Sequence, residues 1–519
     1  MADKPNTTPA PLSTVHRPIL RAAGAIGILT AASRILGFAR DCLIAAFYGT
    51  SPTAQAFVVA FRIPNLLRDL VGEGAANAAF VPVFSRTRAR EGKEGWALLA
   101  QAVWVRVGVL FGVLSAAGVI AAPLLVRLVA PGFGASPELL SLTVQLTRVL
   151  FPFIGLVGLS AFFMGLLNSA GRFASPSAGP IFLNLSMIAG CLLSRPDAMG
   201  LSWGVMAGGV LQLAIQWPSL RAEGIFLSFR WRAHPGVKEI GRLILPRIAG
   251  TGVYQASVLV DTVFASFGRV VGPGGVASLY FAHRFLHLPL ALFGISMAQA
   301  ALPTLSSQVA ASDLKSARET CKMSLRSSLF IAIPAGVGLV VLGYPIIATL
   351  LQRGAFSEEA TAMTVSALRW YAVGLAPFCA VKVLANTLYA FHDTWTPVRS
   401  AVVSLAANAA LNALLIWPMK LGGLALATSL SSALNCLHLY RAVRSRLGPM
   451  GGELTGWALR VLTASLGMGA VSFLLWRLGS GLGWLILSIT GGVASFFLFG
   501  LLLKVEESRG VLRWLFRRN

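Results

Sequence analysis

Charge is what this sequence has least of. Only 12% of its 519 residues are Asp, Glu, Lys or Arg, and only 19 are acids. Soluble domains carry about 25% charged residues, so an ordinary water-soluble domain is excluded. Cysteine is scarce too: Cys42, Cys191, Cys321, Cys379 and Cys436 stand singly within or beside apolar segments. That spacing supports neither a disulfide framework nor a cysteine metal site. The six histidines are dispersed, and neither HExxH nor GxSxG occurs. Without a nucleophile–base pair or a metal constellation, an integral-membrane enzyme is disfavoured. The first eighteen residues lack the apolar core of a signal peptide and read as a short disordered cytoplasmic tail.

What is present is apolar surface. Hydrophobic residues make up 56% of the chain, and the mean hydropathy is +0.73. The formal net charge of +24 would suit nucleic acid if the basic residues shared one soluble face. They lie instead between apolar segments, as in cytoplasmic loops facing an anionic leaflet. No nucleic-acid partner is expected.

Spans of about twenty apolar residues recur fourteen times: 19–48, 52–72 (continuing as a helix to 86), 96–130, 139–168, 175–193, 201–220, 237–267, 275–306, 317–351, 361–391, 397–418, 422–443, 455–478 and 482–504. The expected class is an all-α integral membrane protein. Loops after even-numbered crossings hold Arg86, Arg88, Arg90 and Lys93, then Arg221, Arg230, Arg232 and Lys238, then Lys315, Arg318 and Lys322. Loops after odd-numbered crossings (49–51, 131–137, 272–274) are bare of charge apart from their flanks. By the positive-inside rule both termini are cytoplasmic.

An internal repeat accompanies this pattern. The segment from Phe80 to Ser85 resembles that from Ala301 to Ser306, with Pro82 and Pro303 offset by 221. Asn168 and Phe173 resemble Asn386 and Phe391, at an offset of 218. Two matches at nearly one offset point to duplicated six-helix lobes, 19–222 and 223–447, in one membrane orientation. Residues 448–519 then hold two extra crossings and a basic tail. Pro64 with Pro82, and Pro289 with Pro303, take similar places in the two lobes and are expected bending points.

Charge does enter the first two crossings. Between Ser33 and Ser85 lie Arg34, Arg40, Asp41, Arg62, Arg68, Asp69 and Glu73. A cation at the bilayer centre costs ~3 kcal/mol or more unless it meets a wet cavity or an anion. The excess of arginine over acid suggests a cavity lining for an anionic ligand; the plainer alternative is snorkelling from helix ends. Asp261 lies in the seventh crossing, Asn408 and Asn412 share one face of the eleventh, and Thr428 lies in the twelfth. One carboxylate, two amide oxygens and a hydroxyl suit a weakly bound monovalent cation, sodium or a proton, coupled to transport. Otherwise the amides and hydroxyl simply bridge helices. No other cofactor is called for.

The segments Ser33-Arg34-Ile35-Leu36-Gly37-Phe38-Ala39-Arg40-Asp41, Ala60-Phe61-Arg62-Ile63-Pro64-Asn65-Leu66-Leu67-Arg68, Glu73-Gly74-Ala75 and Ala79-Phe80-Val81-Pro82 resemble the signature of the MurJ (MviN) family. These are lipid II flippases of the multidrug/oligosaccharidyl-lipid/polysaccharide transporter superfamily. The resemblance runs over nearly the whole chain and includes Arg284 in the eighth crossing. It implies two lobes around a central cavity whose arginines hold the pyrophosphate and sugar-peptide head of lipid II. By position Arg34, Arg40 and Arg284 match the family's cavity arginines, with Asp41 in the same signature. Arg68 and Glu73 match further functional positions. Crossings thirteen and fourteen resemble the family's groove for the polyprenyl tail. The resemblance further implies a bacterial inner-membrane location, a role in peptidoglycan synthesis, and membrane lipids and other cell-wall synthesis proteins as partners. Gln55 and His287 stand where many or some members have an acid, which puts a role for those acids in ion coupling in doubt.

Two other transport readings remain. A drug or cation antiporter of the same superfamily would need an acidic cavity, and this one is basic. A polysaccharide-unit flippase would share the anion site and differ in its head group.

Overall fold

In lipid, a helix satisfies every backbone N–H and C=O within its own segment. The computed structural model, which describes residues 12–68, 76–194 and 197–516, is helical nearly throughout, with no strand among the described residues. The helices are α1 (Leu12–Tyr48), α2 (Pro52–Arg68), α3 (Ala76–Val129), α4 (Pro137–Leu150), α5 (Phe153–Ser169), α6 (Ala174–Leu193), α7 (Ala198–Ala214), α8 (Trp217–Ala222), α9 (Gly236–Ala265), α10 (Gly268–Val271), α11 (Gly275–Pro289), α12 (Ser296–Ala310), α13 (Leu314–Leu351), α14 (Glu358–Val373), α15 (Leu375–Ala390), α16 (Trp395–Leu447), α17 (Glu453–Arg477), α18 (Leu482–Leu502) and α19 (Glu506–Phe516). Among the described residues eight stretches are long and apolar enough to cross a membrane, or nine if the α14–α15 pair, bent by 44°, is one span. Two of these hold a sharp turn, α3 at Gly92 (φ 71) and α16 at Lys420 (φ 50).

Helix α1 starts at Leu12 rather than near Ile19, so part of the expected disordered tail is helical. Hydropathy marks where lipid begins, not where helical hydrogen bonding begins. The proline expectations divide. Pro289 closes α11 and passes into a π-helical turn, Leu290–Ile295, which absorbs the missing donor. Helices α2, α3 and α12, by contrast, run on through Pro64, Pro82 and Pro303.

The chain divides into two compact units. Unit 1 comprises Met1–Leu43, Ala60–Pro123 and Val144–Ala249; unit 2 comprises Ile44–Val59, Leu124–Thr143 and Gly250–Asn519. The core of unit 1 packs Phe80, Phe84, Trp96 and Ala100 of α3 against Phe162 and Leu166 of α5. One core of unit 2 packs Leu305 of α12 with Ala317 and Cys321 of α13 and with Ala380 and Leu384 of α15. Positions 84, 96 and 100 recur at 305, 317 and 321, an offset of 221; positions 162 and 166 recur at 380 and 384, an offset of 218. Aromatic rings fill the first core where small and aliphatic side chains fill the second, which explains why the repeat is faint in sequence. In lipid such cores are held by close packing rather than by water exclusion.

Within unit 2, two tight turns meet backbone to backbone. The Ala355 amide donates to the Ala46 carbonyl at 2.8 Å. A Cβ on Gly49 (φ 55) would overlap the Ala355 carbonyl, and one on Gly354 (φ 57) would overlap that of Ala46. A second approach joins the turn after α3 to the end of α9, where the Gly132 amide donates to Ser266 Oγ at 3.0 Å.

Candidate functional site

Helix α1 carries the first group of expected site residues, all in unit 1. Arg34 is exposed, whereas Arg40 and Asp41 are each only 6% exposed. Arg40 gives Nε and Nη2 to Asp41 Oδ1 at 3.0 and 2.7 Å, and Nη1 to Asn184 Oδ1 at 2.8 Å. Adjacent residues on a helix do not normally face each other, so the guanidinium is drawn back along its own helix. Asn184 of α6 also donates from Nδ2 to the Ser33 carbonyl at 3.0 Å. Arg40 is therefore not an open cavity cation of the kind expected: its fork is occupied by an internal partner. Arg34, one turn and a half away, presents its head outward.

Sequence reasoning missed Asn184. Its signal was a single amide in the apolar run Ile181-Phe182-Leu183-Asn184-Leu185, and such a residue in a membrane helix commonly bonds across to a neighbour.

Arg284 of α11 belongs to unit 2. It is exposed, donates from Nη2 to Tyr280 Oη at 2.9 Å, and lies 5.0 Å from the centroid of that ring. On the same helix His283 and His287 have ring centroids 4.3 Å apart. Arg68 is the last residue of α2, but its side chain lies outside the described residues, as does the whole of Glu73.

The four polar residues of the seventh, eleventh and twelfth crossings meet. Asp261 of α9 is 5% exposed; Asn408 and Asn412, on the first half of α16, are fully buried. Asn412 Nδ2 donates to Asp261 Oδ1 at 2.9 Å and Asn408 Nδ2 to the same oxygen at 3.3 Å. Thr428 Oγ1, on the second half of α16, donates to Asp261 Oδ2 at 2.8 Å. Tyr371 of α14, which sequence reasoning missed, brings its hydroxyl to 3.5 Å from Oδ2. Asn412 Oδ1 is buried with no hydrogen-bond partner among the described residues. Five oxygen-bearing side chains from three helices thus converge, with one amide oxygen left over. Hard oxygens of this kind suit a small cation.

A groove of about 460 Å³ lies between α13 and α17, lined by Val337, Val340, Val341, Leu466, Gly469 and Phe473, with Arg369 of α14 at its wall. Of the two crossings that the resemblance assigns to a tail groove, the thirteenth (α17) lines this one and the fourteenth (α18) does not. Gly467, Gly491 and Gly492 instead let α17 and α18 approach, since a Cβ at each would crowd Phe499, Leu475 or Ser472.

Comparison with known proteins gives the family. The family model described as lipid II flippase MurJ matches residues 44–502. A probable lipid II flippase MurJ of Rhizobium tropici is 37% identical over 453 residues, 85% of this chain and 83% of that protein. Its counterpart in Vibrio cholerae serotype O1 is 33% identical over 517 residues, 95% of this chain and 98% of that one. A solved structure of lipid II flippase MurJ in an inward closed conformation superposes with a TM-score of 0.77 at 25% identity, covering 92% of this chain and 98% of that one. An inward-facing multidrug resistance MATE family transporter of the MOP superfamily shares the fold, with a TM-score of 0.67 at 16% identity over 80% of this chain and 95% of that one. The chain belongs to the lipid II flippase MurJ family of multi-pass membrane transporters.

Proposed function

We propose that this protein moves lipid II from the cytoplasmic to the outer leaflet of the bacterial inner membrane by alternating access, with both termini cytoplasmic. The observation that carries the reading is the exposure of two arginines in apolar helices, Arg34 in unit 1 and Arg284 in unit 2. A pyrophosphate diester bears about two negative charges, and guanidinium forks match its oxygens bidentately at low hydration cost. No covalent step is needed. Arg40, fixed by Asp41 and Asn184, sets the local field and holds α1 against α6; Arg34 and Arg284 are each assigned to the head group by family position. Arg68 and Glu73 belong to the same reading by family position. The groove between α13 and α17 takes the polyprenyl tail. Release requires weaker binding once the cavity opens outward, because a site equally tight in both states shifts nothing.

Asp261, Asn408, Asn412 and Thr428 form the coupling site of this proposal. The unpartnered Asn412 Oδ1 supports the fit of a monovalent cation. A cation there would neutralise Asp261 and hold α9 against α16. When Asp261 is bare, both amides donate to it; a half-turn of the Asn412 amide would present its oxygen instead. Occupancy and amide orientation are thereby linked.

The test is flipping of labelled lipid II by the purified protein in liposomes, beside other polyprenyl-pyrophosphate sugars. Arg34→Ala and Arg284→Ala are expected to abolish transport while the protein still inserts. Normal flipping by both variants would overturn the anion-site reading. Equal transport of the other sugars would move the assignment to a polysaccharide-unit flippase.

A further inference from the structure

Between α8 and α9 the chain does not coil freely. Residues 225–234 run without helix along the flank of α3. Two side chains of α3 satisfy their backbone. Gln101 accepts from the Ser228 amide at 2.8 Å and donates to the carbonyls of Ser228 and Arg230, while Arg106 Nη1 donates to the Arg232 carbonyl at 2.7 Å. Irregular backbone in water has no need of such partners; at a membrane boundary it does. The side chains sort accordingly. Ile225 is buried in the core of unit 1, but Phe226, Phe229 and Trp231 are 78%, 76% and 64% exposed. Trp231 lies under the Arg106 guanidinium at 4.6 Å, and Phe229 packs on Trp104 at 5.6 Å. Arg230 and Arg232 are exposed beside them, and no acid occurs from residue 224 to 235.

The depth follows from α3, which ends at Val129. At 1.5 Å per residue, a hydrocarbon core of ~30 Å takes about twenty residues and reaches back to the neighbourhood of Val109. Arg106 is three residues beyond, at the level of glycerol and phosphate. Aromatic side chains favour that level, and arginines there meet lipid phosphates.

We propose that residues 226–232 form a binding surface for the headgroup of an anionic phospholipid of the cytoplasmic leaflet. Phe226, Phe229 and Trp231 enter the interface, and Arg230 and Arg232 hold the phosphate. The pinned backbone keeps the aromatic and basic groups in register, so little ordering is left to do on binding. The proposal rests on the multi-pass membrane assignment and the proposed orientation, and not on the identity of the transported lipid.

The test uses the full chain in vesicles free of lipid II, with brominated lipids as quenchers. Subtracting the fluorescence of Trp231→Phe from that of the parent isolates residue 231. Bromines near the headgroup are expected to quench it more than bromines at the tail end, and brominated phosphatidylglycerol more than brominated phosphatidylcholine at equal mole fraction. Arg230→Gln with Arg232→Gln should remove the phosphatidylglycerol excess, about fivefold for each arginine, and leave lipid II transport in neutral vesicles measurable as a check on folding. Equal quenching by the two lipids, or stronger quenching from the tail end, would overturn the proposal. So would an excess that survives the double substitution.

Discussion

Asn184 holds Arg40 in place: its Oδ1 accepts from Arg40 Nη1 at 2.8 Å, while its Nδ2 donates to the carbonyl of Ser33, one residue before Arg34. One amide thus sets both the buried arginine and the backbone that carries the exposed one. Replacing it with leucine would leave a buried guanidinium short of a partner, at a cost of about 1–3 kcal/mol. Asn184→Leu is expected to lower the melting temperature and to slow lipid II flipping; Asn184→Gln should recover part of each. Unchanged melting and transport in Asn184→Leu would remove the positioning role.

Lysine is the sharper probe at the two exposed arginines. Arg34→Lys and Arg284→Lys keep the charge but lose the planar fork, and at position 284 also the flat stack on Tyr280. Each should restore less than a tenth of the transport lost in the alanine variant, a deficit of about 1.4 kcal/mol or more by the tenfold rule. Full rescue by lysine would mean that only net charge matters there.

The helices were legible because lipid imposes length: twenty apolar residues and a break can be counted. The break at Pro289 was legible for the same local reason, a missing N–H. At Pro82 and Pro303 the helix runs on instead, because neighbouring groups can re-satisfy the backbone around a proline, and nothing in one segment reports its neighbours. Asp261, Asn408, Asn412 and Thr428 could be grouped since polar side chains in apolar runs must meet something. Tyr371 could not, because a tyrosine reads as apolar packing until its hydroxyl is placed. The contact of Ala46 with Ala355 was invisible, being made by backbone atoms that no side-chain pattern encodes.

That contact predicts a glycine requirement. Gly49 and Gly354 both have positive φ, and a methyl group on either would overlap the facing carbonyl. Gly49→Ala and Gly354→Ala should each cost about 1–2 kcal/mol in backbone strain alone, read as a lower melting temperature, and should separate the two turns. Gly456→Ala is the control: it lies inside α17 with nothing nearby, and helix propensity makes it neutral or mildly stabilising. Equal melting in all three would show that the turns do not need to touch.

Acid should loosen unit 1 at Glu223. Its carboxylate accepts from Arg172 at 2.9 Å and from Arg88 at 3.1 Å. The hydrogen bond from Arg172, aided by the charge of Arg88, holds it below its ordinary value of 4.5. A depressed carboxylate contributes stability above its unfolded value and loses it as pH falls through the folded one. Both arginines are partly exposed, so about 1 kcal/mol is at stake. Glu223→Gln should therefore melt lower than the parent at pH 7, with the gap closing below about pH 4. A gap that stays constant down to that pH would place the effect elsewhere.

The proposed ion coupling turns on Asp261. Its two oxygens face Asn408, Asn412, Thr428 and Tyr371, and in each of those contacts the neighbour donates. Asn412 keeps a buried amide oxygen with no hydrogen-bond partner among the described residues. The coupling proposed above needs two settings, the observed one with amides donating to Asp261 and a second with an amide oxygen turned to a shared cation. Asp261→Asn removes the charge that distinguishes them while keeping the shape. It should slow lipid II flipping in liposomes and abolish any acceleration by an imposed sodium gradient. Asn412→Asp adds a second carboxylate and should tighten sodium binding, so that transport saturates at lower sodium and turnover falls as release slows. Asp261→Leu would confound loss of coupling with loss of packing, which is why the isostere is the variant to make. Should the Asp261→Asn protein flip at the parent rate with the same response to sodium and to pH, coupling does not pass through this cluster, and its amides and hydroxyl are helix bridges alone.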